Sequence, residues 1–505
     1  MNALIYTSIN QNWLLSLYLL KGKKMSGEVY RNYINGQWLE GQSVTTNLNP
    51  SDISDVVGLY SKANEDDCVS AITAANEAFT GWSQSALEVR KTILDMIGNE
   101  LIERKEEIGA ILAREEGKTL AEGIGEVGRS GQFFQYYGAE VLRLMGENTA
   151  SVRPGVDVEV HREPLGVVGI ITPWNFPMAV AAWKVAPALA YGNCVVLKPA
   201  ELVPASAWIL AEIISRSGLP AGAFNLVMGS GREVGEKLTS SAGVDAITFT
   251  GSVDVGRHIA RNCIENMSRI QLEMGSKNAL VVLNDADLQS AVDCAVAGAY
   301  FGTGQKCTAS SRIIVESGIH DAFVAKMTES VDKLVVGNAM TPGVHIGAVV
   351  DERQLLQNLK YVELAKQEGA ELVQGGERLE LETEGYFMSP ALFINTNNKM
   401  QINRDEVFGP LACVIKVDSY EEALEVSNDS DFGLTSGIMT ASLKHASHFK
   451  RHSKSGCVMV NLPTAGTDYH VPFGGRKSSS YGPREQGQYA RDFYTIIKTN
   501  YSKPY

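Results

Sequence analysis

The side chains that could do chemistry in this chain sit in short stretches rich in glycine and proline. Cys307 closes Gly304-Gln305-Lys306-Cys307. A thiolate is a strong nucleophile once its pKa is lowered and it can be reached. Cys307 is one of seven cysteines, and most cysteines are inert small hydrophobes, so the type alone decides little. Glu273 follows an apolar run and precedes Met274-Gly275. A carboxylate at a strand end stands where open α/β sheets place functional groups, and it could act as a general base. The simpler reading is a solvated Glu at a strand end. Asn175 lies in Thr172-Pro173-Trp174-Asn175-Phe176-Pro177. Its amide could donate to a developing oxyanion, although Pro and Asn also mark ordinary turns. Phe249-Thr250-Gly251-Ser252 runs from strand to helix start, where free N–H groups can meet a phosphate. Gly229-Ser230-Gly231 with Gly235 is a near miss to the dinucleotide fingerprint, read as a strand-end turn beside an adenine.

These residues need elements to hold them. Apolar runs 167–172, 194–198, 224–228 and 246–250 alternate with helical runs such as 205–217 and 233–241. That alternation predicts a parallel sheet flanked by helices. A second α/β stretch covers about 279–466, with strands at 279–283, 312–315 and 412–417 and helices at 287–301 and 319–335. Residues 66–145 read as packing helices, the first capped by Asp66. Residues 151–164 alternate Val with charge, which predicts a two-stranded ribbon outside the main sheets.

A chain of 505 residues exceeds one compact core, so two or more units are expected. A formal charge of −13 argues against nucleic-acid and anionic-membrane partners. No cysteine pair has C-x-x-C spacing, and their number is odd. Both fit a reducing cytoplasm and a chain without a zinc knuckle; no metal is expected. The apolar run 13–20 is too short to span a bilayer, and no basic residue precedes it. Residues 1–24 read as a non-native extension before a true start at Met25; the rival reading is a genuine amphipathic arm.

Together the motifs are specific. In order, Pro-Trp-Asn-Phe-Pro at 173–177, Lys198-Pro-Ala-Glu201, Phe-Thr-Gly-Ser at 249–252, Leu-Glu-Met-Gly at 272–275, Gly-Gln-Lys-Cys at 304–307, Glu406-Val-Phe-Gly-Pro410 and Pro472-Phe-Gly-Gly475 all occur. From about residue 28 onward the chain resembles the aldehyde dehydrogenase superfamily. The resemblance implies an α/β fold with a Rossmann-like cofactor domain (25–145 and 165–278), an α/β catalytic domain (279–477) and oligomerisation elements (146–164 and 486–505). It implies NAD(P)-dependent, non-acylating oxidation of an aldehyde to a carboxylate. Cys307 would attack the aldehyde, its own N–H and Asn175 would hold the oxyanion, and Glu273 would activate water. Lys184 and Glu485 match positions of a proton relay, with ion pairing an equal alternative. Thr172, Pro173, Trp174, Lys198, Glu201, Gly231, Gly251, Ser252, Glu406 and Phe408 would bind the cofactor. Glu201 would accept the ribose hydroxyls and repel a 2′-phosphate, which favours NAD, with NADP also used by some members. Three positions depart from the pattern. Ser276 and Ser480 replace usual glycines, and Pro483 is an extra residue before Arg484-Glu485.

The entrance segment 463–485 resembles that of bacterial α-ketoglutarate semialdehyde dehydrogenases, which implies a small anionic aldehyde as substrate. Phe176, Trp183, Phe301, Thr467 and Phe473 would line the substrate path. Trp183 stands where succinic semialdehyde dehydrogenases commonly carry a carboxylate-binding arginine. Arg476 and His470 are then candidate partners, and Arg312 a weaker one. The alternatives are another small polar aldehyde (succinic semialdehyde, lactaldehyde, betaine aldehyde) or a catalytically silent binding protein of the same fold. The ribbon and the C-terminal strand at about 491–499 have no partner in the main sheets, so a homodimer or homotetramer is expected.

Overall fold

A computed structural model describes residues 28–504; the extension 1–24 and its boundary at Met25 lie outside the described residues. Two sheets organise the chain. The first has eight strands, in the order Ser480–Tyr481, Arg269–Met274, Ala246–Gly251, Val167–Ile171, Cys194–Lys198, Phe224–Leu226, Asn32–Ile34 and Gln37–Leu39. The five from Arg269–Met274 to Phe224–Leu226 are parallel. Val167–Ile171 and Cys194–Lys198 are buried at every residue, which is why they read as unbroken apolar runs rather than alternating ones. Helices Glu65–Ser83, Ala179–Ala190, Pro204–Ser215 and Val253–Glu265 pack on this sheet.

The second sheet has seven strands, in the order Glu371–Gln374, Ala391–Thr396, Leu411–Val417, Ser310–Glu316, Asn278–Val282, Thr435–Met439 and Cys457–Val460. All pair in parallel except the edge strand Glu371–Gln374. Only three residues separate the end of Arg269–Met274 in one sheet from the start of Asn278–Val282 in the other. The carboxyl end of a first-sheet strand thus lies next to the amino end of a second-sheet strand, and carboxyl ends are where open α/β sheets bind ligands.

Two local expectations need correction. The first helix is capped by Asn64, not Asp66. Asn64 Oδ1 accepts from Asp67 N at 2.9 Å and Asp67 returns the bond to Asn64 N at 3.0 Å, a reciprocal capping box. Asp66 sits in the first turn, where its charge suits the helix dipole. The ribbon has three strands, not two. Glu147–Ala150 pairs with Asp157–Pro164, and the C-terminal Thr495–Ser502 pairs along the other side of Asp157–Pro164. Just ahead of it, Phe493 and Tyr494 are buried in the first core. The Arg269 guanidinium donates to the carbonyls of Asp492, Phe493 and Thr495, which fixes the exit of the chain toward the ribbon.

The helical stretch resolves into Leu87–Glu103, Lys105–Glu116 and Leu120–Glu140. Glycines let the last of these approach the other two closely. A Cβ on Gly131 would stand 2.6 Å from Gly98 O, and one on Gly123 would stand 2.5 Å from Gly109 O. The backbones are in contact there, and no side chain fits between them. This seating sets the depth of Leu120–Glu140 against the strand ends. Gly131→Val is expected to lower the free energy of unfolding by about 1–3 kcal/mol, the usual cost of overpacking. Urea unfolding checks this, and an unchanged midpoint refutes the seating argument.

Candidate active site

Cys307 lies just past Phe301–Gly304, a turn that carries three consecutive left-handed residues. Gly302 and Gly304 adopt φ of 63° and 66° freely, but Thr303 at 55° is β-branched and strained. The surroundings hold the strain. Gly302 N donates to Glu122 Oε1 at 2.7 Å, Gln305 N to Gly302 O at 2.9 Å, and Thr303 Oγ1 to Gly347 O at 3.3 Å. A Cβ on Gly304 would stand 2.2 Å from Gly409 O, so only glycine fits. Beyond the turn, Asn278 Nδ2 donates to Cys307 O at 2.7 Å and to Ala309 O at 3.0 Å. The cysteine is thus gripped on both sides. Its side chain is half-exposed, whereas Cys68, Cys194, Cys263, Cys294 and Cys413 are buried. Desolvation, then the charges of Glu406 and Glu273, push the Cys307 thiol well above its ordinary range. At rest it is a protonated thiol, and its proton must leave as it attacks.

Asn175 Nδ2 donates to Gln305 O at 2.8 Å, which binds its turn to the cysteine loop and leaves the second amide N–H to face a ligand. Glu273 ends the Arg269–Met274 strand and is buried. Desolvation, then Glu485, raise its carboxyl well above the usual range, against a hydrogen bond from Ser480 and the charges of Lys184 and Arg484. A carboxylate so raised is a stronger proton acceptor than a solvated one. Lys184 Nζ is paired with Glu485 Oε1 and donates to Thr248 Oγ1 at 2.8 Å. Glu485 Oε2 has no partner, so this buried pair keeps one acceptor open.

The cofactor positions converge at the strand ends. Lys198 Nζ donates to Pro199 O at 2.8 Å and Gly229 O at 3.0 Å, and burial lowers its pKa to about 8. Glu201 lies 3.5 Å from Lys62 Nζ in a cleft lined by Tyr60, Ser61, Pro199, Ala200 and Gly229. Gly231 begins a short turn capped by Ser230, whose Oγ accepts from Glu233 N. Gly251 sits against the Phe249 ring, which a Cβ would meet at 2.4 Å. Ser252 caps the thirteen-residue helix Val253–Glu265 without using its hydroxyl, so the first N–H groups stay free for an anion. Thr172 follows its strand with a buried hydroxyl that has no partner. Pro173 and Trp174 continue the same turn. Trp174 meets Phe408 edge-on at 5.3 Å, and Phe408 is held at φ 63° by Gln354 Nε2, which donates to its carbonyl at 3.2 Å. Glu406 Oε1 accepts from Ser276 N at 2.7 Å, while desolvation pushes its carboxyl up to about 7. Ser276 Oγ donates to Asn278 Oδ1 at 2.8 Å, so this departure from the family pattern buttresses the residue that holds Cys307. The free helix N-terminus and the orphan Thr172 hydroxyl fit the phosphates and polar groups of a dinucleotide.

An aromatic wall lines the opposite side. Phe473 lies 5.7 Å from Trp183, Trp183 5.9 Å from Phe133, and Phe133 6.4 Å from Tyr469. Phe176 lies under the Lys118 ammonium at 4.1 Å. Thr467 is half-buried in the adjoining loop, and Phe301 is exposed without a ring partner. Of the expected carboxylate partners, Arg312 is excluded. Its guanidinium is buried and spent on Lys277 O, Asn398 Oδ1, Val426 O and Ser427 O, tying the second sheet to its helices. Arg476 and His470 are exposed, and neither joins the wall on the side of Trp183.

The sequence reading missed a stripe on Leu120–Glu140. Glu122, Glu126, Arg129, Phe133 and Tyr137 follow each other at intervals of four, three, four and four, one face of a helix. Glu122 holds Gly302. Glu126 Oε1 accepts from Met178 N and Ala179 N, and its Oε2 accepts from Lys118 Nζ at 2.7 Å. Lys118 Nζ donates in turn to Asn175 O at 2.6 Å. Arg129 lies over the Tyr469 ring at 5.5 Å and has no ion pair or hydrogen bond among the described residues. The signal was present as acidic and basic residues on the stripe of a helix that must be buried.

A parallel sheet with an anion-ready helix N-terminus, joined through three residues to a second sheet that carries a gripped thiol nearby, is the architecture of a dinucleotide-dependent enzyme. Residues 38–500 match the Aldehyde dehydrogenase family. The chain is 42% identical to the alpha-ketoglutaric semialdehyde dehydrogenase of Bacillus subtilis, over 94% of this chain and 98% of that one. It is 40% identical to the alpha-ketoglutarate semialdehyde dehydrogenase of Haloferax volcanii, over 93% and 98%. Its structure superposes with a TM-score of 0.93 on the betaine aldehyde dehydrogenase of Staphylococcus aureus in complex with NAD+, at 33% identity and 97% coverage of both chains. The chain belongs to the aldehyde dehydrogenase family and is an NAD(P)-dependent oxidoreductase acting on small aldehydes.

The stripe generates a prediction. Glu126→Gln puts an amide where Lys118 needs an acceptor and loosens the Asn175 turn. Catalytic efficiency is expected to fall about tenfold or more, the worth of ~1.4 kcal/mol of lost orientation. Cofactor affinity, read by fluorescence titration, should hold. Equal losses in both would show that Glu126 only supports the fold.

Proposed function

We propose that this enzyme oxidises α-ketoglutarate semialdehyde, or an anionic aldehyde of that size, to its carboxylate through a thioester on Cys307. The observation that carries the substrate reading is Arg129, an unpaired guanidinium on the aromatic wall that leads toward Trp183 and Phe473. The relatives named above support it by what they act on.

In this reading, Cys307 Sγ bonds to the aldehyde carbon while the thiol proton passes to a neighbouring carboxylate. The free N–H of the Asn175 amide and the Cys307 N–H, which faces its own sulfur and makes no bond to a carbonyl, stabilise the oxygen as charge develops. NAD, when bound, accepts the hydride from that carbon. Thr172, Pro173, Trp174, Lys198, Glu201, Gly231, Gly251, Ser252, Glu406 and Phe408 hold it. Eight of these lie in 165–278, while Glu406 and Phe408 lie with the nucleophile in 279–477. Glu273 then takes a proton from water, whose oxygen bonds to the thioester carbon as the C–S bond breaks. The Lys184–Glu485 pair lies behind Glu273 and can pass that proton on. Acyl transfer to a thiol cofactor needs no such base, so Glu273 favours hydrolysis.

The ribbon 146–164 and the segment 486–505 form the assembly surface in this reading. Ile496, Ile497 and Tyr501 are exposed on an edge strand with one free side, an arrangement that calls for a second copy of this chain. A homodimer or a pair of dimers follows. Among the described residues no helix is long and apolar enough to cross a membrane, and all seven cysteines are free; a cytoplasmic enzyme fits both.

Two measurements test the reading. Cys307→Ala should abolish NADH formation while cofactor binding survives. Glu273→Ala should release one equivalent of NADH and then stall. Steady turnover in Cys307→Ala ends the proposed mechanism. For the substrate, Arg129→Leu should raise KM for anionic semialdehydes roughly tenfold or more and leave neutral aldehydes of like size unchanged, since a charge-assisted hydrogen bond is worth ~1.5–3 kcal/mol. Equal effects on charged and neutral aldehydes would remove Arg129 from the substrate site.

A further inference from the structure

Strand Ser480–Tyr481 lies at the edge of the first sheet, antiparallel to Arg269–Met274. Its register sets Ser480 directly opposite Glu273 and Tyr481 opposite Leu272. Paired residues in an antiparallel ladder point their side chains to the same face. Ser480 Oγ accordingly donates to Glu273 Oε2 at 2.5 Å. The same oxygen accepts from Gly475 N at 2.6 Å. With a lone pair taken by that N–H, the single hydroxyl hydrogen is directed at the carboxylate. The other carboxylate oxygen, Glu273 Oε1, lies against Gly474, where a Cβ would stand 2.8 Å from it. The carboxylate is therefore clamped at one oxygen and walled at the other. A glycine at 480, usual in the family, has no hydroxyl to give.

We propose that Ser480 is a positioning residue that orients the Glu273 carboxylate for the water that hydrolyses the acyl-enzyme. The inference rests on the reading of Glu273 as the base. Ser480 acts at that step alone. In hydrolysis the water O–H bond breaks and its proton goes to Glu273; the new C–O bond displaces the Cys307 sulfur, which keeps the electron pair. A hydroxyl that donates to Glu273 favours the ionised carboxylate, the form that can take the proton. The other groups that face Glu273 are Glu485, Lys184, Arg484, Cys307 and Cys457. Of these, Glu485 opposes ionisation most, Lys184 and Arg484 favour it, and Ser480 is the neutral group that does so through a hydrogen bond.

The test separates acylation from hydrolysis. Enzyme, NAD and labelled semialdehyde are mixed, and NADH release is followed together with acid-quenched acyl-enzyme, which reads hydrolysis whichever step limits turnover. Ser480→Gly and Ser480→Ala suit the extended backbone here (φ −152°), so both should fold. Each is expected to leave the NADH burst unchanged and to move the acid limb of the hydrolysis rate up by about one pH unit, about tenfold slower on that limb. The sign follows because a less stabilised carboxylate ionises at higher pH. Ser480→Thr, which keeps the hydroxyl, should restore the limb. An unmoved limb in both variants overturns the proposal. So does a fall in burst and hydrolysis together, which a merely structural serine would give. Glu273→Gln run alongside distinguishes the two readings. If it hydrolyses the acyl-enzyme at the normal rate, the base is not Glu273; if it stalls while the Ser480 variants match the unsubstituted enzyme, only the role of Ser480 fails.

Discussion

The buried pair of Lys118 and Glu126 is the contact on which the site depends. Lys118 is nine-tenths buried or more and Glu126 nearly so, and each is fully occupied. Removing either would leave a buried charge without its partner, which typically costs 3–5 kcal/mol. A hydrophobic pair of the same volume could stabilise the fold as well. It could not bind a carbonyl and two helix N–H groups at once, and that is what the ion pair does for the Asn175 turn. Burial works to lower the Lys118 pKa, and the carboxylates Glu116 and Glu126 outweigh it, so the ammonium stays charged.

Because Glu126 sits on the helix Leu120–Glu140 and Lys118 just before it, the rest of the site inherits the position of that helix. Four residues before Glu126, Glu122 fastens the left-handed turn ahead of Cys307; seven after it, Phe133 starts the aromatic wall. A shift of the helix would move the cysteine loop, the Asn175 turn and the aromatic wall together. The glycine contacts with the neighbouring helices resist such a shift, since close-packed backbones leave no room to slide.

Electrostatically, the cleft is arranged around carboxyl groups. Glu273, Glu406 and Glu485 all act on the Cys307 thiol and raise it, on top of desolvation. A thiol in such a setting is quiet until a proton acceptor and a substrate are both in place. That restraint suits the proposed role of Cys307, since the thiolate and not the thiol is the reactive form. The fixed cations around it serve other groups: Lys184 is committed to Glu485, and Lys306, the residue before Cys307, donates to Ala297 O with its pKa lowered by burial to about 8.

Sequence alone determined the elements whose signals are local. Continuous apolar runs gave the buried parallel strands, because a strand covered on both faces has no solvent side to alternate with. The ordered motifs gave the family and singled out Cys307, Glu273 and Asn175 as the candidates for its chemistry. Periodicity could not show that Asn64 rather than Asp66 caps the first helix, since both are good caps and backbone angles decide between them. Nor could it place the C-terminal strand beside 157–164, a pairing between segments more than three hundred residues apart. Arg312 was a weak candidate for the substrate until folding buried it among five acceptors. Arg129 drew no notice in the sequence, and only the fold sets it over the Tyr469 ring with no hydrogen bond or ion pair among the described residues. Ser480 became the partner of Glu273 only through the register of two strands. Residue type sets what a side chain can do, and local pattern sets its element. Which side chains meet, and which polar groups remain unspent, depends on distances between segments remote in the chain, and those the tertiary structure decided.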